Sequence, residues 1–368
     1  MTAVLETTAP PRRKVLPNLT AIRIFAAGSV LVFHAGALIA GDTSLHWWGH
    51  WINGGYLGVS LFFVLSGFIL AYNAPERLQI GRFYVLRFAR IYPLYLFALL
   101  WALPTSLLHH GPAHRAQIVL ANALLLQTWF GSAYMSAVNP PGWSLCTEAF
   151  FYLSFPFLLL PLRRSMAHWK WLLLLFAILA ILPATLVHLW LWAHGLGESL
   201  ALSDFLFLPI FRLCEFLIGM LFGLLFASRQ SIISGRMTAL AALIALSAMG
   251  VEDHLPVDVI RNGLLAVPFG FLLYCLAGWD SRFLSSAPMQ LLGEISYGIY
   301  IISIPLNETV GHLDHWGRHE AWLFYLPLLP TAYLLYIFIE KPGRRFILHL
   351  FRIRSHTKPI PTTDPTLP

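Results

Sequence analysis

The sequence predicts an all-α, polytopic integral membrane protein, a bundle of about ten transmembrane helices with one re-entrant segment. Hydrophobic residues make up 58% of the 368 and charged residues only 11%, where ordinary soluble domains carry about a quarter charged. Mean hydropathy is +0.68, and apolar runs long enough to cross a bilayer recur along the chain between short turns. Lysine and arginine gather in alternate turns, as the positive-inside rule places them. The net charge of +7 and the pI near 9.5 come from those clusters, so the basicity reports membrane orientation and excludes nucleic acid as the expected partner. Cys146, Cys214 and Cys275 are scattered through apolar runs and read as small core residues, without the spacing of a disulfide framework or a metal site.

Residues 1–15 are polar, contain Arg12, Arg13 and Lys14, and read as a disordered cytoplasmic tail. The run at 19–40 superficially resembles a secretory signal, but Arg23 interrupts its front and many spans follow, so it reads as a retained first helix. Trp47, Trp48 and Trp51 then suit the headgroup belt. In the second span, 56–72, Gly58, Ser66 and Gly67 are small enough for close helix approach. Arg77, Arg82, Arg87 and Arg90 form the densest positive stretch of the first half and mark the cytoplasmic side. A third span, 91–108, ends at His109-His110-Gly111-Pro112.

The run at 116–129 is too short for a straight crossing, which takes about 17–25 residues. If it crossed, Arg163, Arg164 and Lys170 would fall outside; if it does not, they join Arg229, Arg236, Lys341, Arg344 and Arg345 inside. It therefore reads as re-entrant or interfacial, buried against protein. Later spans are expected at 145–162, 169–192, 207–226, 237–251, 260–278, 291–310 and 322–340, with both termini inside. The loops at 195–204, 252–258 and 312–320 carry acidic residues and fall outside. Residues 16–345 then form one membrane domain, followed by a basic, Pro/Thr-rich cytoplasmic tail at 346–368.

Three polar groups stand where a bilayer disfavours them. Arg23 and His34 are eleven residues apart in the first span, which leaves them about 20° apart around the helix and about 16 Å apart along it. Such a pair either lines a polar pathway or divides into a snorkelling arginine and a hydrogen-bonded histidine. Arg87 and Arg90, three apart on one helix face, offer forked donors suited to phosphate on the side where a nucleotide-bearing cofactor is available, or else meet lipid headgroups. Trp143-Ser144-Leu145-Cys146-Thr147-Glu148 follows a Pro140-Pro141-Gly142 turn, with Ser144 as the expected N-cap and Glu148 about one turn into the helix. There Glu148 can orient a histidine and stabilise its cation, or pair with an arginine. His109, His110 and His114 share a loop without acidic or cysteine partners, so no metal site is expected.

Five motifs in order resemble the membrane-bound acyltransferase family 3, which includes O-antigen and exopolysaccharide O-acetyltransferases. They are Arg23 with His34, Ser66-Gly67-Phe68, Arg87-Phe88-Ala89-Arg90 with Pro93, the Trp143 to Glu148 motif with Phe151, Tyr152 and Pro156, and Ile295-Ser296-Tyr297-Gly298-Ile299-Tyr300 with Glu340-Lys341-Pro342. The chain departs from the family pattern at Thr20, Ala149 and Ser303, where an aspartate, a second glutamate and a histidine are common.

The resemblance implies an O-acyltransferase of the bacterial cytoplasmic (inner) membrane. Its donor would be an acyl-CoA, with acetyl-CoA favoured, used as co-substrate with no tightly bound cofactor. Its acceptor would be a hydroxyl of a carbohydrate or glycolipid. His34 would be the general base or take the acyl group itself, Glu148 would hold its tautomer, and Arg87, Arg90 and Arg23 would meet the CoA phosphates. A competing class is a proton-coupled transporter or flippase using Arg23, His34 and Glu148 as a polar path.

Overall fold

The computed structural model describes residues 14–39, 52–108, 112–195, 207–229, 233–249, 263–314 and 325–353. All elements among them are helical. The expected N-terminal tail, the Trp47–Trp48–Trp51 belt, His109, His110 and most of the acidic loops lie outside the described residues.

In chain order the helices are α1 (Pro17–Ile39), α2 (Gly58–Asn73), α3 (Ile80–Leu108), α4 (Pro112–Ala123), α5 (Gly142–Arg164) and α6 (Trp169–Ala193). They continue with α7 (Pro209–Arg229), α8 (Gly235–Met249), α9 (Ala266–Gly278), α10 (Ala287–Asp314), α11 (Tyr325–Leu335) and α12 (Lys341–Leu350). Six stretches among the described residues are long and apolar enough to cross a membrane. That falls short of the ten expected: α1 is not among the six, α8 and α9 offer apolar stretches below the length that counts, and α11 has only 11 helical residues before a π turn. Two starts differ from expectation. Helix α3 begins at Ile80, so Arg82 is helical too, and Arg87 and Arg90 lie on a helix as expected. Helix α5 begins at Gly142, so Ser144 is inside its first turn and bonds Pro141 O at 3.0 Å instead of capping. Helix α12 carries helical structure past residue 345 to Leu350.

Helix α6 shows how the bundle meets lipid. Trp171 and Trp192, at its two ends, are 72% and 78% exposed. Their separation of 21 residues spans about 31 Å of helix, close to the hydrocarbon thickness, which suits both rings to headgroup belts.

Hydrogen bonds collect the basic ends of the helices at one end of the bundle. Tyr72 OH donates to Lys14 O, and Arg163 donates to the carbonyls of Ala74, Pro75 and Glu76. Asn18 reaches Leu276 O and Trp279 O, Gln290 reaches Pro17 O, and the Arg229 guanidinium lies 5.8 Å from the Trp169 ring. Because α3 leaves this end and α5 returns to it, the segment between them does not come back on its own. Instead Tyr92 and Tyr95 of α3 donate to Ala123 O and Asn122 O, and Gln127 donates to Gly142 O. The irregular end of the 12-residue α4 is thus bonded to α3, and the turn that follows it to the start of α5.

The tightest helix pair is α2 with α7. A Cβ on Gly67 would sit 2.1 Å from Phe216 O, and one on Gly219 would sit 2.0 Å from Val64 O. Only residues without a side chain permit that approach. Gly58 plays the same part against α1, where a Cβ would meet Ala26 O at 2.3 Å. Ser66, expected to serve packing, instead turns its hydroxyl to Glu148.

Candidate active site

Helices α1, α2, α3, α5 and α10 surround a cavity of about 900 Å³, counting the space at its mouth. Its polar part gathers Arg23, Arg87, Arg90, Glu148, Tyr152 and Ser66. Phe62, Phe63, Val59 and Leu145 make an apolar wall. Arg23 thus faces protein and not the bilayer, which removes the snorkelling reading.

Each charged group is held differently. Arg90 Nη1 is 2.9 Å from Glu340 Oε1. Among the described residues Arg87 pairs with no carboxylate; its guanidinium lies 5.8 Å from both the Phe83 and the Tyr152 rings, and its buried Nε lacks a hydrogen-bond partner there. Arg23 lines the cavity and makes no hydrogen bond or ion pair among the described residues. Glu148 Oε1 accepts from Ser66 Oγ at 3.3 Å and from Tyr152 OH. Three guanidiniums therefore face two carboxylates, Glu148 and Glu340, leaving a net positive site that suits an anion.

One turn of α5 from Glu148, Ser144 Oγ and Tyr300 OH lie 2.9 Å apart and each lies 3.0 Å from Pro141 O, so one hydroxyl donates to that carbonyl and the other to its neighbour. This knot borders the cavity on the side away from Arg163.

His34 is not among the lining residues. It lies on the face of α1 that runs from Arg23 through Ala27 and Val30, both buried. Val30 packs in the same core as Val59 and Phe63, two wall residues of the cavity. The His34 Nδ1 atom is buried and has no hydrogen-bond partner among the described residues. The structure thus brings Arg23, Arg87, Arg90 and Glu148 into one cavity and leaves His34 further along the same helix face, with no bond to Glu148.

Tyr152 and Glu340 escaped the sequence reading as site residues. Tyr152 was legible in principle, being four residues after Glu148 and so on its helix face. Glu340 stood in a quoted motif, but nothing local ties it to an arginine 250 residues earlier.

A family model described as "Acyltransferase domain" matches residues 16–341. "Acyltransferase MdmB" of Streptomyces mycarofaciens is 28% identical, over 96% of this chain and 98% of its own length. "Putative peptidoglycan O-acetyltransferase YrhL" of Bacillus subtilis is 27% identical over 90% of this chain, and "O-acetyltransferase OatA" of Staphylococcus aureus is 24% identical over 93%. The chain spans 55% and 59% of the length of those two. No solved structure matches it.

Proposed function

The chain belongs to the acyltransferase family, and we propose that, as an O-acyltransferase, it moves an acyl group, acetyl before longer chains, from acyl-CoA to a hydroxyl of a carbohydrate, glycolipid or other cell-envelope acceptor. The observation that carries the donor assignment is the cavity with three guanidiniums against two carboxylates, set in one helix bundle with His34 further along the same face of α1. Arg87, Arg90 and Arg23 hold the donor's phosphates, and its long thin arm runs along α1 toward His34, about 16 Å further by helix rise. There a free imidazole nitrogen takes the proton of the acceptor hydroxyl as the oxygen attacks the thioester carbonyl. The carbon–sulfur bond breaks, CoA leaves as the thiolate, and the proton held by the imidazole passes to it. Direct acyl transfer to His34 is the second route.

Glu148 fits a different role from the one its motif suggested. Its bonds to Ser66 and Tyr152 among three arginines favour balancing the cations of the donor site, with orientation of His34 requiring another arrangement. The basic end of the bundle is assigned to the cytoplasm of a bacterial inner membrane, with both termini there. The peptidoglycan and acetyl wording in the relatives' names supports an acetyl group and an envelope glycan. A transporter reading has no family support and needs no thioester. The deciding assay supplies acetyl-CoA labelled in the acetyl group to purified protein in lipid nanodiscs with membrane glycan extract. Thiol release matched by label on the acceptor is expected; substrate movement across vesicles without thioester cleavage would overturn the assignment.

A further inference from the structure

Glu340 has so far only balanced a charge, yet it is 1% exposed and sits at a backbone irregularity. The π turn Tyr336–Glu340 joins α11 to α12 and carries the carboxylate inward. Such turns are rare and concentrate at functional sites. Both sides of the junction are fixed. Tyr336 OH donates to Glu294 of α10, and Gly343 lies so close to α3 that a Cβ there would come within 2.6 Å of Pro93 Cβ.

What this junction holds is Arg90. The contact is end-on, since Nη1 meets Oε1 at 2.9 Å while Oε2 has no hydrogen-bond partner among the described residues. One nitrogen of the fork is anchored, and the side chain still lines the cavity. Arg87, three residues earlier, is held by aromatic rings instead. Two guanidiniums that look equivalent in the sequence are thus mounted in different ways.

We propose that Glu340 is a positioning residue for the donor: it fixes Arg90 so that the remaining donors of its fork meet a phosphate of acyl-CoA. The inference rests on the acyl-CoA reading above. Two effects oppose each other. A carboxylate beside a guanidinium cancels part of its charge and weakens anion binding, whereas anchoring a long side chain removes the ordering cost that binding would otherwise bear. Positioning and charge cancellation predict opposite signs for the same substitutions.

The test is binding of coenzyme A to the purified full-length protein by calorimetry, with donor KM and kcat measured beside it. Glu340→Gln keeps an acceptor at the same reach and is expected to bind within about twofold of wild type. Glu340→Ala and the shorter Glu340→Asp are expected to weaken binding about tenfold, the size of one charge-assisted hydrogen bond, and to raise donor KM with kcat little changed. In an Arg90→Ala background, Glu340→Ala should add nothing, and that comparison holds even if single variants lose some folded protein. Tighter or unchanged binding in Glu340→Ala overturns the proposal. Wild type that fails to bind coenzyme A overturns the donor reading itself, and the proposal with it.

Discussion

Two buried polar clusters in this bundle have similar ingredients and opposite character. Near the start of α7, Arg212 Nη2 lies 3.2 Å from Glu215 Oε2 and 2.9 Å from Ser60 Oγ, while Ser60 Oγ is 3.2 Å from Glu215 Oε1. The guanidinium also rests 5.3 Å from the Phe63 ring. One cation meets one anion and one hydroxyl, and Arg212 and Glu215 are 5% and 1% exposed. The charges cancel within the cluster. In the cavity, by contrast, the guanidiniums outnumber the carboxylates, Arg23 and Arg87 lack a carboxylate contact among the described residues, and open space lies in front of them. Charge balance and adjoining open space, more than burial, separate a group that holds helices together from one that awaits a ligand.

The largest expected effect is at His34, whose Nδ1 has no hydrogen-bond partner among the described residues and which lies outside the cavity lining. His34→Ala and His34→Gln should lower acyl transfer by about a hundred- to ten-thousand-fold, with normal membrane insertion, because neither can accept a proton. Substantial activity in His34→Gln, measured on purified folded protein, would sink the general-base assignment. Next comes the charge-balanced cluster. Arg212→Ala strands the Glu215 carboxylate and should cost about 3–5 kcal/mol of stability, seen as a lower thermal midpoint in detergent, with donor KM of the folded fraction unchanged. Replacing both by apolar residues, Arg212→Met with Glu215→Leu, should restore most of that stability. A shift in donor KM in the restored double variant would erase the contrast between the clusters.

Arg87→Ala should do the reverse. Donor KM should rise about ten- to a hundredfold, as for loss of a charge-assisted hydrogen bond worth about 1.5–3 kcal/mol, with little change in thermal midpoint. Arg87→Lys should recover only part, since an ammonium lacks the planar fork and stacks less well on Phe83 and Tyr152. The smallest effect is expected from Tyr152→Phe, which removes one bond to Glu148. A few-fold rise in donor KM at constant kcat fits a Glu148 that serves the donor site. A fall in kcat matching that of Glu148→Gln would place Glu148 with His34 instead.

Composition and periodicity determined a good deal by themselves: an all-helical membrane bundle, its basic end, the order of its apolar runs, and the register of Arg23 with His34. These are local properties, set by hydropathy along the chain and by 3.6 residues per turn. The close approach of α2 and α7 was only half legible, through Gly67, while Gly219 and Gly223 on the partner carry the small-residue spacing that completes it. Tertiary structure alone decided which polar residues meet. It placed Glu148 with Ser66 and Tyr152 and gave Arg90 a partner 250 residues away. It also closed Arg212 onto Glu215 and Ser60 while leaving Arg87 on two rings. A long charged side chain in an apolar bundle takes whichever partner the packing of distant helices brings within reach, and sequence spacing encodes only the neighbours on its own helix.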